Sequence, residues 1–233
     1  MHAIRFSTAL AWLFLGLLPV SPLLGQEQDP RKRRGPVKPT PEEAAAQKKQ
    51  PFFAVIESKK AVVPLGGMMD VQLKIRNNRA KKFKAVLPEL SYLAARFEIA
   101  YGDRKPFVYG RFVGSDTAPS RARFFKLSAG KSEKARFKIP AVLSGSVKLT
   151  ALYPTEDGKV HRSNTIELFV DGEDPLRVVM KVEDRGRVVM RFFPEQAPNT
   201  VTHFIERVLG EYYDGLVFHR VVADFVAQTG CPT

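Results

Sequence analysis

Apolar and polar residues alternate with a period of two in several stretches in the middle of the chain. Val71, Leu73 and Ile75 alternate with polar residues. Successive side chains of a strand point to opposite faces, so such a stretch predicts a strand with one buried face. The same pattern recurs around Phe137, Leu149 and Leu168, and further strands are predicted at Phe53–Glu57, Phe97–Tyr101, Phe107–Val113 and Phe124–Leu127.

Turn residues separate these stretches, as at Gly66-Gly67 and Asn77-Asn78. Short strands at such spacing predict a β-sandwich, which we place at residues 51–172. The pattern from Val62 to Asn77 resembles the early strands of immunoglobulin-like domains found in exported bacterial proteins. A short helix is predicted at Pro88–Ala95, and His161 is predicted to lie in a surface loop.

A hairpin and a helix are predicted after residue 173. Two apolar runs, Val178–Val182 and Val188–Phe192, flank a turn, which is the pattern of a hairpin. Pro198 suits the first position of a helix, apolar residues follow at helical spacing, and Gly210 is a good stop. The overall prediction is a mainly β chain.

The N-terminal residues 1–25 are predicted to be a secretory signal peptide. Arg5 precedes the apolar run Ala9–Leu18, and Pro19 then breaks it. The run is shorter than the roughly 20 residues that a bilayer span needs. The alternative is an uncleaved membrane anchor. Either interpretation implies export to a periplasmic or extracellular location. Cys231 is the only cysteine, so no intrachain disulfide is expected.

Residues 26–50 are predicted to be a disordered basic linker, since they hold few large apolar residues. The chain carries a formal net charge of +13, and the basic excess lies before residue 174. Scattered basic residues on an exported protein argue against nucleic-acid binding. We expect at most a weak contact between the basic tail and an anionic surface.

Five landmarks follow one another in the C-terminal region. They are Phe193–Val201, Phe204, Tyr213–Gly215, Phe218–Val221 and Phe225–Gln228. Together they resemble the opening part of a cyclophilin-type peptidyl-prolyl isomerase domain, which we place at residues 173–233. The resemblance implies an incomplete cyclophilin β-barrel with one helix, and proline-containing polypeptides as partners.

The chemistry of prolyl isomerisation explains why an arginine matters in this motif. Resonance holds the peptide bond planar with a barrier of about 18–20 kcal/mol. The prolyl nitrogen gains a lone pair when the bond twists. A fixed cationic donor there stabilises the twisted state more than either planar one. Such catalysis requires no metal, nucleophile or redox cofactor, and none is predicted. Guanidinium stays protonated and presents a rigid fork of donors, so Arg220 is the candidate.

The resemblance implies a role for each site residue. Arg220 would be the catalytic arginine, and Gln228 would orient it or bind the substrate backbone. Phe225 and Val226 would line the proline pocket, and His219 would lie at its rim.

Two departures from the family pattern accompany these matches. The loop before Phe225 is Ala223-Asp224 where the family usually has Pro-Gly, so the Asp224 carboxylate is predicted near Arg220. The family's domain also extends further than the residues present here, and two strands, a helix and a third strand cannot close a barrel. We therefore expect a fragment or remnant whose isomerase part is unstable and nearly inactive.

Three hypotheses remain open at this point. The chain is an exported isomerase, a non-catalytic binding protein that works through its β-sandwich, or a basic module that docks on anionic surfaces. The sequence does not identify the substrate, the oligomeric state or the partner of the sandwich.

Overall fold

The fold is taken from a computed structural model, which describes residues 4–7, 29–32, 35–80, 83–86, 95–110, 124–154 and 159–231. The strand β1 (Ile4–Ser7) and the helix α1 (Pro41–Lys48) come first. The middle of the chain contributes β2 (Phe52–Ser58), β3 (Val62–Pro64), β4 (Met68–Asn77), β5 (Phe83–Val86), β6 (Arg96–Tyr101), β7 (Phe107–Tyr109), β8 (Phe124–Leu127), β9 (Ser132–Pro140), β10 (Gly145–Pro154) and β11 (Val160–Asp171). The C-terminal region holds β12 (Arg177–Val182), β13 (Gly186–Arg191), α2 (Pro198–Leu209), β14 (Arg220–Val222) and β15 (Val226–Gln228).

Two sheets form the sandwich. One has the strand order β2-β4-β9 and the other β3-β11-β10-β6-β7, with β5 and β8 paired separately. The alternating apolar residues of β4, β10 and β11 are buried, which places the core between the sheets. The rings of Phe97 and Phe137 meet across it with their centroids 5.0 Å apart. The predicted mainly β fold with a sandwich is confirmed.

A buried amide joins the two sheets at the edge strand β2. The Asn164 side chain in β11 accepts a hydrogen bond from the Ile56 backbone N–H at 2.8 Å. Its amide nitrogen donates to the Ile56 carbonyl at 3.0 Å. The side chain thereby replaces the strand neighbour that β2 lacks at this point, and it satisfies two backbone groups that burial would otherwise leave unpaired.

The predicted disordered linker at residues 26–50 differs from the structure, which contains α1 within it. The Thr40 hydroxyl accepts from the Glu43 N–H at 3.2 Å, and the Glu43 carboxylate accepts from the Thr40 N–H at 2.8 Å. This reciprocal capping box satisfies two N-terminal donors of the helix. Val37 also forms an isolated bridge with Ser58 of β2. Local capping and one backbone bridge therefore order a segment that has little apolar surface to bury.

Other predictions are corrected or lie outside the described residues. His161 lies in β11 and not in a loop, with its ring 4.6 Å from that of Phe52, edge to face. The helix predicted at Pro88–Ala95 falls on undescribed residues except Ala95, and the apolar run Ala9–Leu18 is undescribed throughout.

The C-terminal region follows the predicted hairpin and helix. β12 and β13 pair in antiparallel register, and α2 begins at Pro198 and ends before Gly210, as predicted. β1 pairs with the other edge of β12. One face of α2 is buried through Val201, Ile205 and Val208. In the part of the chain that the structure describes, no helix is both long and apolar enough to cross a membrane.

Candidate active site

A second hairpin carries the predicted site residues. β14 and β15 are antiparallel, with Arg220 opposite Gln228 and Val222 opposite Val226. Asp224 has a φ of 56° in the connecting turn, a left-handed conformation that aspartate tolerates better than most residues. The Phe225 N–H donates to the Val222 carbonyl at 3.2 Å and closes the turn. The sequence predicted one strand here, and the structure has two short ones.

The register brings Arg220 and Gln228 together. A guanidinium N–H of Arg220, on Nη1, donates to the Gln228 Oε1 at 3.0 Å. Both side chains are exposed, so the remaining guanidinium donors can reach a bound peptide. The geometry agrees with the predicted orienting contact, while the catalytic roles of both residues remain predictions.

The other predicted site residues surround this pair without forming a pocket. The backbone N–H of His219, whose side chain is exposed, donates to the Gln228 carbonyl at 3.1 Å. Phe225 is 75% exposed at the turn, and Val226 is half-buried. Two cavities of the described residues, one beside Tyr109 and one beside Ser58, include none of these side chains. Phe225 and Val226 therefore form an open apolar surface, and their role in binding proline stays a prediction.

The expected contact between Asp224 and Arg220 is absent. No ion pair joins these two described residues, and the hydrogen bond of Arg220 goes to Gln228 instead. The left-handed turn places Asp224 at the tip of the hairpin, two residues beyond the strand that carries Arg220. The Asp224 carboxylate therefore does not engage the guanidinium donors of Arg220 in this hairpin.

A row of aromatic rings ties the end of β13 to α2 and to the segment before the hairpin. The Phe192 ring lies 5.1 Å from that of Phe204, and the Phe204 ring lies 5.1 Å from that of Tyr213. Burial raises the pKa of the Tyr213 hydroxyl. The Thr229 hydroxyl, just after β15, donates to the Val217 carbonyl at 3.0 Å. This hydrogen bond anchors the hairpin, and no pattern in the sequence indicated it.

The helix α2 also contacts the sandwich. The Tyr109 hydroxyl in β7 donates to the Glu206 carboxylate at 2.7 Å, and His203 Nδ1 lies 3.5 Å from the same oxygen. Arg104 pairs with Glu195 at 2.6 Å. A cavity of about 300 Å³ lies beside this contact, with Phe97, Phe137 and Ile139 among its lining residues. The partners are almost one hundred positions apart in the chain, so no local pattern indicated this junction.

A model of one protein family matches the C-terminal region. The model described as "Cyclophilin type peptidyl-prolyl cis-trans isomerase/CLD" matches residues 177–233. This segment is cyclophilin-type. The match begins at the first residue of β12 and includes both hairpins and α2, so every predicted site residue lies within the cyclophilin-type segment.

Curated relatives match the same region. A peptidyl-prolyl cis-trans isomerase of Synechococcus elongatus is 45% identical over 49 residues, which cover 21% of this chain and 34% of that protein. A peptidyl-prolyl cis-trans isomerase of Rhizopus delemar is 49% identical over 47 residues, which cover 20% of this chain and 8% of that protein. The chain thus spans about a third or less of the length of these relatives.

Two solved structures resemble about half of the chain remotely. The CARDB domain of PF1109 from Pyrococcus furiosus is 11% identical with a TM-score of 0.33, covering 52% of this chain and 94% of that one. A β-glucosidase of Listeria innocua is 14% identical with a TM-score of 0.31, covering 53% of this chain and 16% of that one. Both are too distant for their functions to bear on this protein.

Proposed function

We propose that this chain is an exported peptidyl-prolyl isomerase of cyclophilin type that acts on X-Pro bonds of polypeptides. The observation that carries the proposal is the hydrogen bond from Arg220 to Gln228, at 3.0 Å within the cyclophilin-type segment. It holds a permanent cation in one orientation on an accessible strand. A donor fixed in advance needs no reorganisation when the prolyl nitrogen gains its lone pair, which is how an enzyme favours a transition state.

The catalytic step follows from this arrangement. The substrate proline would lie against Phe225 and Val226, where apolar contact displaces water from the ring. A free guanidinium donor of Arg220 would then bind the prolyl nitrogen as the amide twists out of plane. The reaction is a rotation about one peptide bond, so no proton is transferred and no covalent bond is broken.

The exposure of Phe225 supports low activity for the chain as it stands. A side chain that is 75% exposed gives a proline one apolar wall and leaves the opposite side to water. Water competes for the guanidinium donors and weakens the electrostatic effect. We propose that this chain alone binds proline peptides weakly and isomerises them slowly.

Exchange spectroscopy on an X-Pro peptide at equilibrium can detect slow isomerisation at high protein concentration. We expect the full chain to accelerate cis–trans exchange weakly and the Arg220→Ala variant to lose this acceleration. Loss of a preorganised donor typically costs about a hundredfold in rate. The matched control is Arg136→Ala, an exposed arginine on strand β9 of the sandwich, which should leave the rate unchanged. Equal exchange with and without Arg220 would remove it from the mechanism.

Export is the second part of the proposal, and its support is the sequence pattern of residues 1–25. Strand β1 lies inside that segment and pairs with β12. Cleavage of a signal peptide would remove β1 and free that edge of β12, so the pairing and the cleavage exclude each other in one molecule. N-terminal sequencing of the protein recovered from its native host decides between them, and an intact Met1 would contradict cleavage.

A second candidate function is binding without catalysis. The cavity of about 300 Å³ between the sandwich and α2 favours it, because sites for small ligands often lie between domains. The exchange experiment separates the two candidates. No acceleration by the wild-type chain at any accessible concentration would favour the binding protein.

A further inference from the structure

The two faces of the β12–β13 hairpin differ sharply in charge. The register pairs Arg177 with Arg191 and Lys181 with Arg187, and Val179 with Val189 between them. Residues that are paired directly opposite project from the same face of a sheet. One face therefore carries four cations around two valines, and we call it the basic face. The other face carries the apolar residues of the hairpin, including the buried Val178.

The pairing on the basic face works against the stability of the hairpin. Like charges directly opposite each other on neighbouring strands repel and destabilise the pair. Here two such pairs occur in one hairpin. All four cations are exposed, and among the described residues no carboxylate lies within ion-pair distance of any of them. The carboxylates of the hairpin itself, Glu183 and Asp184, lie in its turn and form no ion pair with these four cations, so the basic face is open to an external anionic partner.

Apolar side chains lie among these cations. Val189 is 56% exposed at the centre of the basic face, and Phe193 is 52% exposed just after β13. The Arg191 guanidinium lies 5.1 Å from the centroid of the Phe193 ring. Strand spacing makes the face a flat patch of about 13 Å by 5 Å between its outermost cations. A surface that combines cations with exposed apolar groups suits the boundary between lipid headgroups and acyl chains.

We propose that the basic face docks this protein on an anionic phospholipid bilayer. The cations would contact lipid phosphates, while Val189 and Phe193 would enter the boundary with the acyl chains. A nucleic-acid site usually interleaves cations with neutral hydrogen-bond donors, and the three register pairs of this face offer none. The basic face lies on the cyclophilin-type segment, so this docking differs from the expected contact through the basic tail.

Vesicle sedimentation with the full chain tests this docking. The probes are sucrose-loaded vesicles of one part phosphatidylglycerol to two parts phosphatidylcholine, and vesicles of phosphatidylcholine alone. Each basic residue near an anionic surface contributes about 1 kcal/mol, or about fivefold in partition coefficient. We therefore expect the double variant K181Q/R187Q to bind the anionic vesicles about twentyfold more weakly. Salt raised from about 0.1 to about 0.5 M should release the wild-type chain, because it shortens the Debye length.

The matched control is the double variant K134Q/R136Q on β9. It also removes one lysine and one arginine from an exposed strand face, on which Lys134 lies opposite Lys74 and Lys138 lies opposite Asp70 of β4, so it tests whether any loss of two exposed cations weakens binding. This control should bind within about twofold of the wild type. An equal loss in both variants would overturn the proposal, as would equal binding of the wild type to neutral vesicles. Displacement from the anionic vesicles by a DNA duplex at equal phosphate concentration would favour a nucleic-acid partner and overturn it as well.

A second variant keeps the proposal testable if K181Q/R187Q does not fold. R177Q/R191Q removes the other pair of like charges and should weaken binding by the same factor. Both variants relieve repulsion, so their melting temperatures should equal or exceed that of the wild type. Unchanged vesicle binding by a folded R177Q/R191Q would contradict the proposal.

Discussion

The sandwich and the cyclophilin-type segment use their apolar residues in opposite ways. In the sandwich, side chains such as Leu73, Ile99 and Leu149 are completely buried between two sheets. In the cyclophilin-type segment, Val221 is 69% exposed and Phe225 is 75% exposed on the hairpin that carries Arg220. Burial of apolar surface is the dominant favourable term in folding. The free energy of unfolding therefore resides mainly in the sandwich, and the proposed chemistry lies on the part that contributes least to it.

The site hairpin is held in place by polar and aromatic contacts more than by a core of its own. Arg220 contacts Gln228 within the hairpin, and Thr229 contacts Val217 just outside it. The aromatic row from Phe192 through Phe204 to Tyr213 then leads to α2, which rests against the sandwich. The sandwich can thus stabilise the site through α2, and the Arg104–Glu195 ion pair adds a second contact between the two regions. This dependence can be tested by perturbing each region separately.

Leu149→Ala should have the largest effect on stability. Leu149 is fully buried in β10, and removing a buried leucine side chain typically costs about 3 kcal/mol from lost burial and the cavity left behind. Val221→Ala on the exposed hairpin should change the free energy of unfolding by less than about 0.5 kcal/mol. Urea unfolding followed by circular dichroism measures both. Comparable losses would mean that the hairpin is buried in solution, contrary to the described contrast.

Raising the pH above 10 should lower the free energy of unfolding of the sandwich, and we expect this effect to be the second largest. Burial raises the pKa of Tyr101 from 10.0 to about 12 and outweighs the backbone hydrogen bonds at Val142 and Leu143, which lower it, while the Asp174 charge raises it slightly. Burial also raises the pKa of Tyr153. Between pH 10 and pH 12 the unfolded chain loses the Tyr101 proton while the folded chain retains it, so stability is present below pH 10 and falls as the pH rises.

The expected loss from Tyr101 alone is about 2 kcal/mol at pH 12 relative to neutral pH. Urea unfolding at a series of pH values measures it, and tyrosinate absorbance reports ionisation in the folded state. Tyr101→Phe is the control, and it should flatten this part of the profile. A profile that is unchanged in Tyr101→Phe would show that other groups cause the alkaline loss.

The sequence predicted a strand or helix correctly where the residues that determine it lie within that element. The alternation at Val71, Leu73 and Ile75 predicted a strand, and β4 contains all three on its buried face. Pro198 and Gly210 predicted the ends of α2 because their backbone restrictions act locally. The Arg220–Gln228 contact was anticipated from family resemblance, and hairpin register explains it.

The sequence did not predict contacts between distant parts of the chain, and the prediction also overlooked the N-terminal cap of helix α1. Nothing near Asn164 indicates that its amide would pair with the Ile56 backbone in another sheet. His161 was predicted to lie in a surface loop beside Arg162, yet it lies in β11 and its ring packs on Phe52. The capping box of α1 was readable from Thr40 and Glu43, but low apolar content outweighed it. Composition indicates how much apolar surface a segment can bury. It does not indicate whether a helix cap or a contact with a neighbouring strand will order that segment.

Tyr109→Phe should cost less stability than Leu149→Ala or ionisation of Tyr101, and it tests the link between the two regions. The Tyr109 hydroxyl donates to the Glu206 carboxylate at 2.7 Å, and a half-buried bond of this kind is expected to contribute about 1 kcal/mol. The matched control is Tyr153→Phe, which deletes the same atom. The Tyr153 hydroxyl is buried in the sandwich with no hydrogen-bond partner among the described residues, so its removal should be neutral or slightly stabilising.

Amide hydrogen exchange in α2 and in the β14–β15 hairpin gives the decisive comparison. If the sandwich holds the cyclophilin-type segment in place, Tyr109→Phe speeds exchange in α2 and in the hairpin while sandwich amides exchange as before. Tyr153→Phe should leave α2 and the hairpin unchanged. Unchanged exchange in both variants would mean that the Tyr109–Glu206 bond does not hold the cyclophilin-type segment in place. The Arg104–Glu195 pair, the register of the hairpin and the Gln228 bond would then have to keep Arg220 in position.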